Sequence, residues 1–104
     1  MKILLLEDDL ILSELIVEHL EYDGHKVTPL YNGVDAETIL FKEKFDLLLL
    51  DINVPLLNGF ELLKSLREVK NHTPAIFITS MNSSKDVAEG FKFGADDYLK
   101  KHLR

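Results

Sequence analysis

The sequence predicts a single α/β domain built on a five-stranded parallel sheet, doubly wound, with helices on both faces. Three observations carry that expectation. Short apolar runs recur along the chain, segments with apolar residues three and four apart lie between them, and glycine, proline and asparagine mark the junctions. The order reads β-α-β-α-β-α-β-α-β, and parallel strands joined through helices take right-handed crossovers.

The first element, "KILLL" (2–6), is a continuous apolar run of the kind that suits a strand covered on both faces. Leu12, Leu15, Ile16 and Leu20 then recur at helical spacing, and "DGHK" closes that helix. "KVTPLY" is a weaker strand, and "YNGVDAE" opens a second helix. The strongest strand is "FDLLLLD" (45–51). Phe60, Leu62, Leu63 and Leu66 mark a third helix, and "NHTP" leads into a fourth strand, "PAIFITS". "SSKDVAEGFKFGADDYLKK" reads as a fourth helix, a stop at Gly94, and a last strand near Asp97 to Lys100.

The chain has 104 residues, enough for one compact domain and too few for two. Apolar residues make up 46% and charged residues 29%, a globular balance with no internal repeat, linker or low-complexity tract. No apolar stretch reaches the roughly 18 residues of a membrane span. "MKILLLEDD" turns acidic too early for a secretory signal, so the expected location is the cytoplasm. The absence of cysteine excludes disulfides, thiolate catalysis and cysteine-ligated metal. His19, His25, His72 and His102 show no metal-ligand spacing. A formal charge of −6 argues against nucleic-acid binding by this segment and suits a site that holds a cation.

A parallel sheet of this kind presents its chemistry at the carboxyl ends of its strands. The first strand ends at Glu7, Asp8 and Asp9, the third at Asp51, the fourth at Thr79 and Ser80, and the fifth near Lys101. Carboxylates brought together there repel one another, and Mg²⁺ offsets the repulsion because it prefers oxygen ligands and retains waters. A carboxylate beside Mg²⁺, an ammonium from Lys101 and a hydroxyl from Thr79 would stabilise phosphoryl charge while Asp51 attacks as nucleophile. The reaction this predicts is aspartyl phosphorylation.

Each residue also has a plainer role. Asp9, or the whole acidic triplet, suits a helix N-terminus, where carboxylates cap and meet the dipole. Asp51 can simply terminate a strand, Asn53-Val54-Pro55 can be an ordinary loop, Thr79 and Ser80 can cap the next helix, and Lys101 can be solvated. The coincidence of four candidates at four strand ends of one sheet edge favours the chemical reading.

"ILLLEDD", "LLLLDINVPLLNG" with its Asp-x-x-x-Pro-x-x-x-Gly spacing, "IFITS" and "GADDYLKK" together resemble the receiver domain of bacterial two-component response regulators. The resemblance covers the whole chain. It implies a flavodoxin-like fold of strand order 2-1-3-4-5 and a phosphorylation-activated switch, not an enzyme beyond self-catalysed phosphoryl transfer and weak autodephosphorylation. It makes Asp51 the phosphoacceptor and Asp8 a direct Mg²⁺ ligand, with Glu7 acting through water and the Asn53 main-chain carbonyl as a further ligand. Lys101 would bind the phosphoryl group. Thr79 would turn toward that group and Tyr98 would swing inward, a bistable element biased by local charge. The implied phosphoryl donor is a sensor histidine kinase, or a small donor such as acetyl phosphate.

The chain departs from the family at several points. His102 stands where the family places proline after the lysine, so a trans Lys101–His102 bond is expected. The chain stops at "HLR", before the family's fifth helix. It is therefore read as a truncated receiver, 1–104, whose apolar sheet face is covered by self-association or rearrangement. "GADDYLKK" most resembles the winged-helix transcription-factor class, which dimerises through the fourth helix, fifth strand and fifth helix. Asp96 and Asp97 match acidic positions of that surface, whereas Val87 sits where many members have arginine. DNA binding would belong to a downstream domain outside this chain, and no membrane contact is expected.

Two other classes remain open at this stage. A Mg²⁺-dependent phosphohydrolase with an aspartyl-phosphate intermediate needs an acid two residues after the nucleophile, and Asn53 cannot supply a proton. A receiver that works by protein contacts alone usually lacks one of the acids or the lysine, and this chain keeps Glu7, Asp8, Asp51, Thr79 and Lys101. Met81 and Asn53 border the site as candidates for tuning hydrolysis.

Overall fold

The computed structural model describes residues 1–79, 92 and 94–100, with the backbone alone at residues 79 and 98–100. In chain order the described elements are β1 (Lys2–Leu6), α1 (Leu10–Tyr22), β2 (Lys26–Leu30), α2 (Gly33–Leu40), β3 (Leu47–Asp51), α3 (Gly59–Glu68), β4 (Ala75–Thr79) and β5 (Asp97–Lys100). All strand pairings are parallel, and the sheet runs β2-β1-β3-β4-β5. The expected order is therefore observed. Of the expected fourth helix only Lys92 is among the described residues, and it is helical.

Alternation along the strands explains why the runs are apolar throughout. Leu4 and Leu6, Leu48 and Leu50, and Ala75 and Phe77 point to one face, where they pack with Ala36 and Leu40 of α2 and Leu62, Leu63 and Leu66 of α3. Ile3 and Leu5, Leu49 and Ile78 point to the other, against Ile16, Val17 and Leu20 of α1. A strand buried on both sides has no polar positions to alternate with. Fully burying each leucine contributes about 1.5–3 kcal/mol. The two faces differ in cover: Leu48, Leu50 and Phe77 are fully buried, whereas Leu47 and Ile76 on the α1 face are only half-buried.

The inward stripe of α1 differs from the one predicted. Leu15 is 50% exposed, and the buried position is Ser13, at 1%. The stripe is Ser13, Ile16, Val17 and Leu20, which keeps the helical period but begins at a hydroxyl residue that counting apolar positions overlooks. In α3 the prediction holds, and Phe60 adds an edge-on contact with Phe77, the ring centroids 5.1 Å apart.

Caps set the helix starts. Asp9 accepts from the N–H of Leu12 at 3.1 Å, and Asn32 accepts from that of Asp35 at 2.8 Å. At α3 a reciprocal capping box forms, Asn58 Oδ1 accepting from Glu61 N–H at 2.9 Å and Glu61 Oε1 from Asn58 N–H at 3.1 Å. Pro29 lies in β2, the outermost strand on its side of the sheet, where a residue without an N–H is tolerated.

The entry to β4 and β5 is held by Arg67. Its Nη1 donates to the carbonyls of Asn71 and Thr73 at 3.0 and 2.8 Å, and its Nη2 donates to that of Gly94 at 2.8 Å. Asp96 accepts from Ala75 N–H at 2.8 Å and lies 3.8 Å from Arg67. The family resemblance matches Asp96 to an acidic position of a dimer surface; in the fold its carboxylate also joins the starts of β4 and β5.

Candidate functional site

β1 and β3 are neighbours in register, Leu6 opposite Leu50, so the next residue of each, Glu7 and Asp51, comes to the same sheet edge. Glu7 extends the β1–β2 ladder by donating its N–H to Leu30 at 3.0 Å. Its side chain is fully buried, and Oε2 accepts from Asp9 N–H at 3.0 Å. Asp51 closes β3 at 5% exposure, and Oδ1 takes a long 3.4 Å contact from the N–H of Asn53. Asp8 is exposed at the mouth. One carboxylate oxygen from each of Glu7, Asp8 and Asp51 falls within 4.8 Å of the other two.

Three carboxylates at that spacing, two of them withdrawn from water, repel one another unless a cation joins them. All three donors are hard oxygens, which suits Mg²⁺, Ca²⁺ or Mn²⁺ and not a thiophilic metal. Exposure at Asp8 leaves the cluster open to water on one side, the arrangement Mg²⁺ prefers because it dehydrates reluctantly. The residues present therefore fit a hard divalent cation.

The β3–α3 loop is shaped by two glycines whose part in the site sequence reading left unassigned. A Cβ on Gly59 would lie 2.5 Å from the carbonyl oxygen of Asp51 and 3.1 Å from the Phe77 ring. Gly59 N–H also donates to Ile52 at 2.9 Å, turning the chain sharply after Asp51. A Cβ on Gly33 would overlap the Leu57 carbonyl, so the start of α2 presses directly on this loop, and Gly33 N–H reaches Pro55 at 3.2 Å. Glycine immediately after an asparagine cap, at both 32–33 and 58–59, is the signal that could have found these contacts. Leu56 in the same loop has φ 72° and is 77% exposed.

β4 brings Thr79 to the same edge: Asp51 is paired with Ile78, and Thr79 with Lys100. Tyr98 is paired with Phe77 in the middle of β5. The side chains of Thr79 and Tyr98 lie outside the described residues, as do Ser80, Met81, Val87, Lys101 and His102. No peptide bond among the described residues is cis. No described helix is long and apolar enough to cross a membrane.

The response regulator receiver domain family matches residues 3–104. The chain belongs to that family. Among curated relatives it is 46% identical over 101 residues to the transcriptional regulatory protein CrdR of Helicobacter pylori, covering 96% of this chain and 47% of that protein. The chain thus spans about half the length of the curated relatives it matches. Among solved structures it resembles the BeF3-activated receiver domain of Klebsiella pneumoniae RstA, with TM-score 0.92, 33% identity, and coverage of 100% of this chain and 88% of that one. It also resembles the receiver domain of the sensor histidine kinase PA1611 from Pseudomonas aeruginosa PAO1, with a magnesium ion coordinated in its active site cleft. That likeness has TM-score 0.89 and 28% identity, covering 99% of this chain and 86% of that one. As a receiver domain the chain is a regulatory module of two-component signalling, and its relatives are transcriptional regulators.

Proposed function

We propose that this receiver is switched by phosphorylation of Asp51, with the phosphohistidine of a sensor histidine kinase as donor, or a small donor such as acetyl phosphate. The observation that carries this reading is the convergence of Asp51 with Glu7 and Asp8 at one strand edge, their oxygens within 4.8 Å. Asp51 is buried at the end of a rigid strand, and the turn at Gly59 fixes its carbonyl, so its carboxylate is presented with little freedom left to lose. An Asp51 oxygen bonds to phosphorus while the bond to the donor nitrogen breaks, and the leaving imidazole keeps that electron pair. Hydrolysis by water later returns the free carboxylate and phosphate.

Asp8 would hold Mg²⁺ directly, Glu7 through water, and Asn53 through its main-chain carbonyl. When bound, Mg²⁺ supplies charge neutralisation for the carboxylates and the phosphoryl oxygens. Lys101 pairs with the phosphoryl group, and Thr79 donates a hydroxyl to it. Tyr98 follows Thr79 and carries the change to the fourth-helix/fifth-strand face, through which, or through the half-covered sheet face, two copies associate. Residues 1–104 form one receiver domain acting in the cytoplasm, and the output is transcription, with DNA contact made by a further domain.

The test is intact mass after incubation with Mg²⁺ and acetyl phosphate. Wild type gains one phosphoryl adduct, and Asp51→Asn gains none. An adduct on both proteins removes Asp51 from this role, and an adduct formed equally well in EDTA removes the metal.

A further inference from the structure

The loops that enter β3 and β4 enclose a cleft of about 610 Å³ at the amino-terminal edge of the sheet. β3 and β4 each span five residues, so this cleft lies roughly 16 Å from the acidic cluster at the other edge. Its base includes buried Leu40 and Phe45, and at its rim Phe41 and Val69 are 60% and 56% exposed. Lys42, Lys44, Lys70 and His72 also line it, all exposed. The only acid in the lining, Glu43, is occupied by Lys2 at 2.9 Å. In a chain of net charge −6 this is a local reversal of sign.

The backbone at Lys70 points the same way. α3 ends in a Schellman motif: Asn71 N–H donates to Leu66 at 2.9 Å and Lys70 N–H to Arg67 at 3.1 Å, with Lys70 at φ 65°. Glycine is the residue that takes this position without steric cost. A lysine here gives up stability and places an ammonium beside the cleft. Arg67 holds this loop by its bonds to Asn71 and Thr73, and Asn71 Oδ1 accepts from the N–H and hydroxyl of Thr73 at 3.1 and 2.7 Å. The wall carrying Lys70 is therefore preorganised.

We infer that this cleft is a docking site for an acidic polypeptide segment bearing a large apolar side chain. The apolar group would seat between Phe41 and Val69, and flanking carboxylates would meet Lys42, Lys44 and Lys70. Charge complementarity selects an acidic occupant. Nucleic acid is disfavoured because a few lysines on an acidic domain cannot track a run of phosphates. The site is separate from Asp51, and the inference stands whether or not Asp51 is phosphorylated.

The experiment is fluorescence anisotropy of the full-length protein with a fluorescein-labelled peptide in which alternating Glu and Asp flank a Leu-Phe pair. Saturable, salt-sensitive binding is expected. Lys44→Glu combined with Lys70→Glu should weaken it at least tenfold, as should Phe41→Ser, while Lys64→Glu on the exposed side of α3 should leave it unchanged. Lys70→Gly should weaken binding yet raise the unfolding midpoint, which separates lost recognition from lost fold. Absence of saturation at millimolar peptide overturns the inference. So does equal affinity for a peptide with Ser-Ser in place of Leu-Phe, or full competition by equimolar tripolyphosphate, since either makes this a small-anion site only.

Discussion

Gly59 and Asp51 touch through their backbones: a methyl group on Gly59 would fall 2.5 Å from the Asp51 carbonyl oxygen. Neither that carbonyl nor the Ile52 Cα, at 3.0 Å, can move without shifting the end of β3. Gly59→Ala should therefore destabilise the fold by about 1–3 kcal/mol through overpacking and slow the phosphoryl transfer proposed for Asp51. Urea unfolding and single-turnover phosphorylation check the two effects, and a variant of wild-type stability and rate would show the turn to be compliant.

The acidic cluster sets metal response against intrinsic stability. Removing one charge with Asp8→Asn relieves repulsion and should raise metal-free stability by about 1 kcal/mol, the scale of two charges near 4 Å in a water-like medium. On the proposed site, Mg²⁺ should raise the melting temperature of wild type by binding only the folded state, and the same change should abolish that rise. Differential scanning fluorimetry with and without Mg²⁺ reads both. Loss of stability in the metal-free variant would mean that the three carboxylates are not mutually strained.

Arg67 is a structural cation of the fold. Burial lowers its pKa, against the smaller raising effect of Asp96, yet its guanidinium serves three carbonyls from two segments. Arg67→Ala should cost about 2 kcal/mol, within the range for hydrogen bonds made by charged groups. Arg67→Lys should recover little, because a single ammonium cannot span the fork. Equilibrium unfolding of both variants distinguishes this from a merely packed side chain, which lysine would replace.

Glu43 titrates below its usual 4.5, chiefly through its hydrogen bond to Lys2 and then the lysine's charge. A carboxylate whose folded pKa is depressed contributes stability above the unfolded value and loses it as pH falls through the folded one. Wild type should therefore exceed Glu43→Gln in stability at neutral pH, with the gap closing below pH 4.5. Both groups of the pair are part-exposed, so added salt should narrow the gap as well. A gap that is flat with pH would leave the ion pair without a role in stability.

Much of this was legible from residue order because a doubly covered strand has an unmistakable composition. Leu47 to Leu50 divide between two faces, and once the strand was recognised, Asp51 had to emerge at the edge that also receives Glu7 and Asp8. Ser13 was missed for the opposite reason: a buried hydroxyl looks like a surface residue in a count of apolar positions. Arg67 left no trace because its partners are main-chain carbonyls, which every residue possesses and no pattern distinguishes. The contact of Gly33 with Leu57 joins two loops that only the folded chain brings together.

Pro29 bears on how copies of this domain can meet. Lys26 and Leu30 direct their main-chain groups toward Met1 and Glu7 of the neighbouring segment, at 2.9 and 3.0 Å. Strand alternation therefore turns the Pro29 nitrogen outward. An approaching extended chain finds a missing donor at the fourth of the rim's five residues. That border is therefore a poor template for strand addition, because an imino ring stands where the added strand would need a donor.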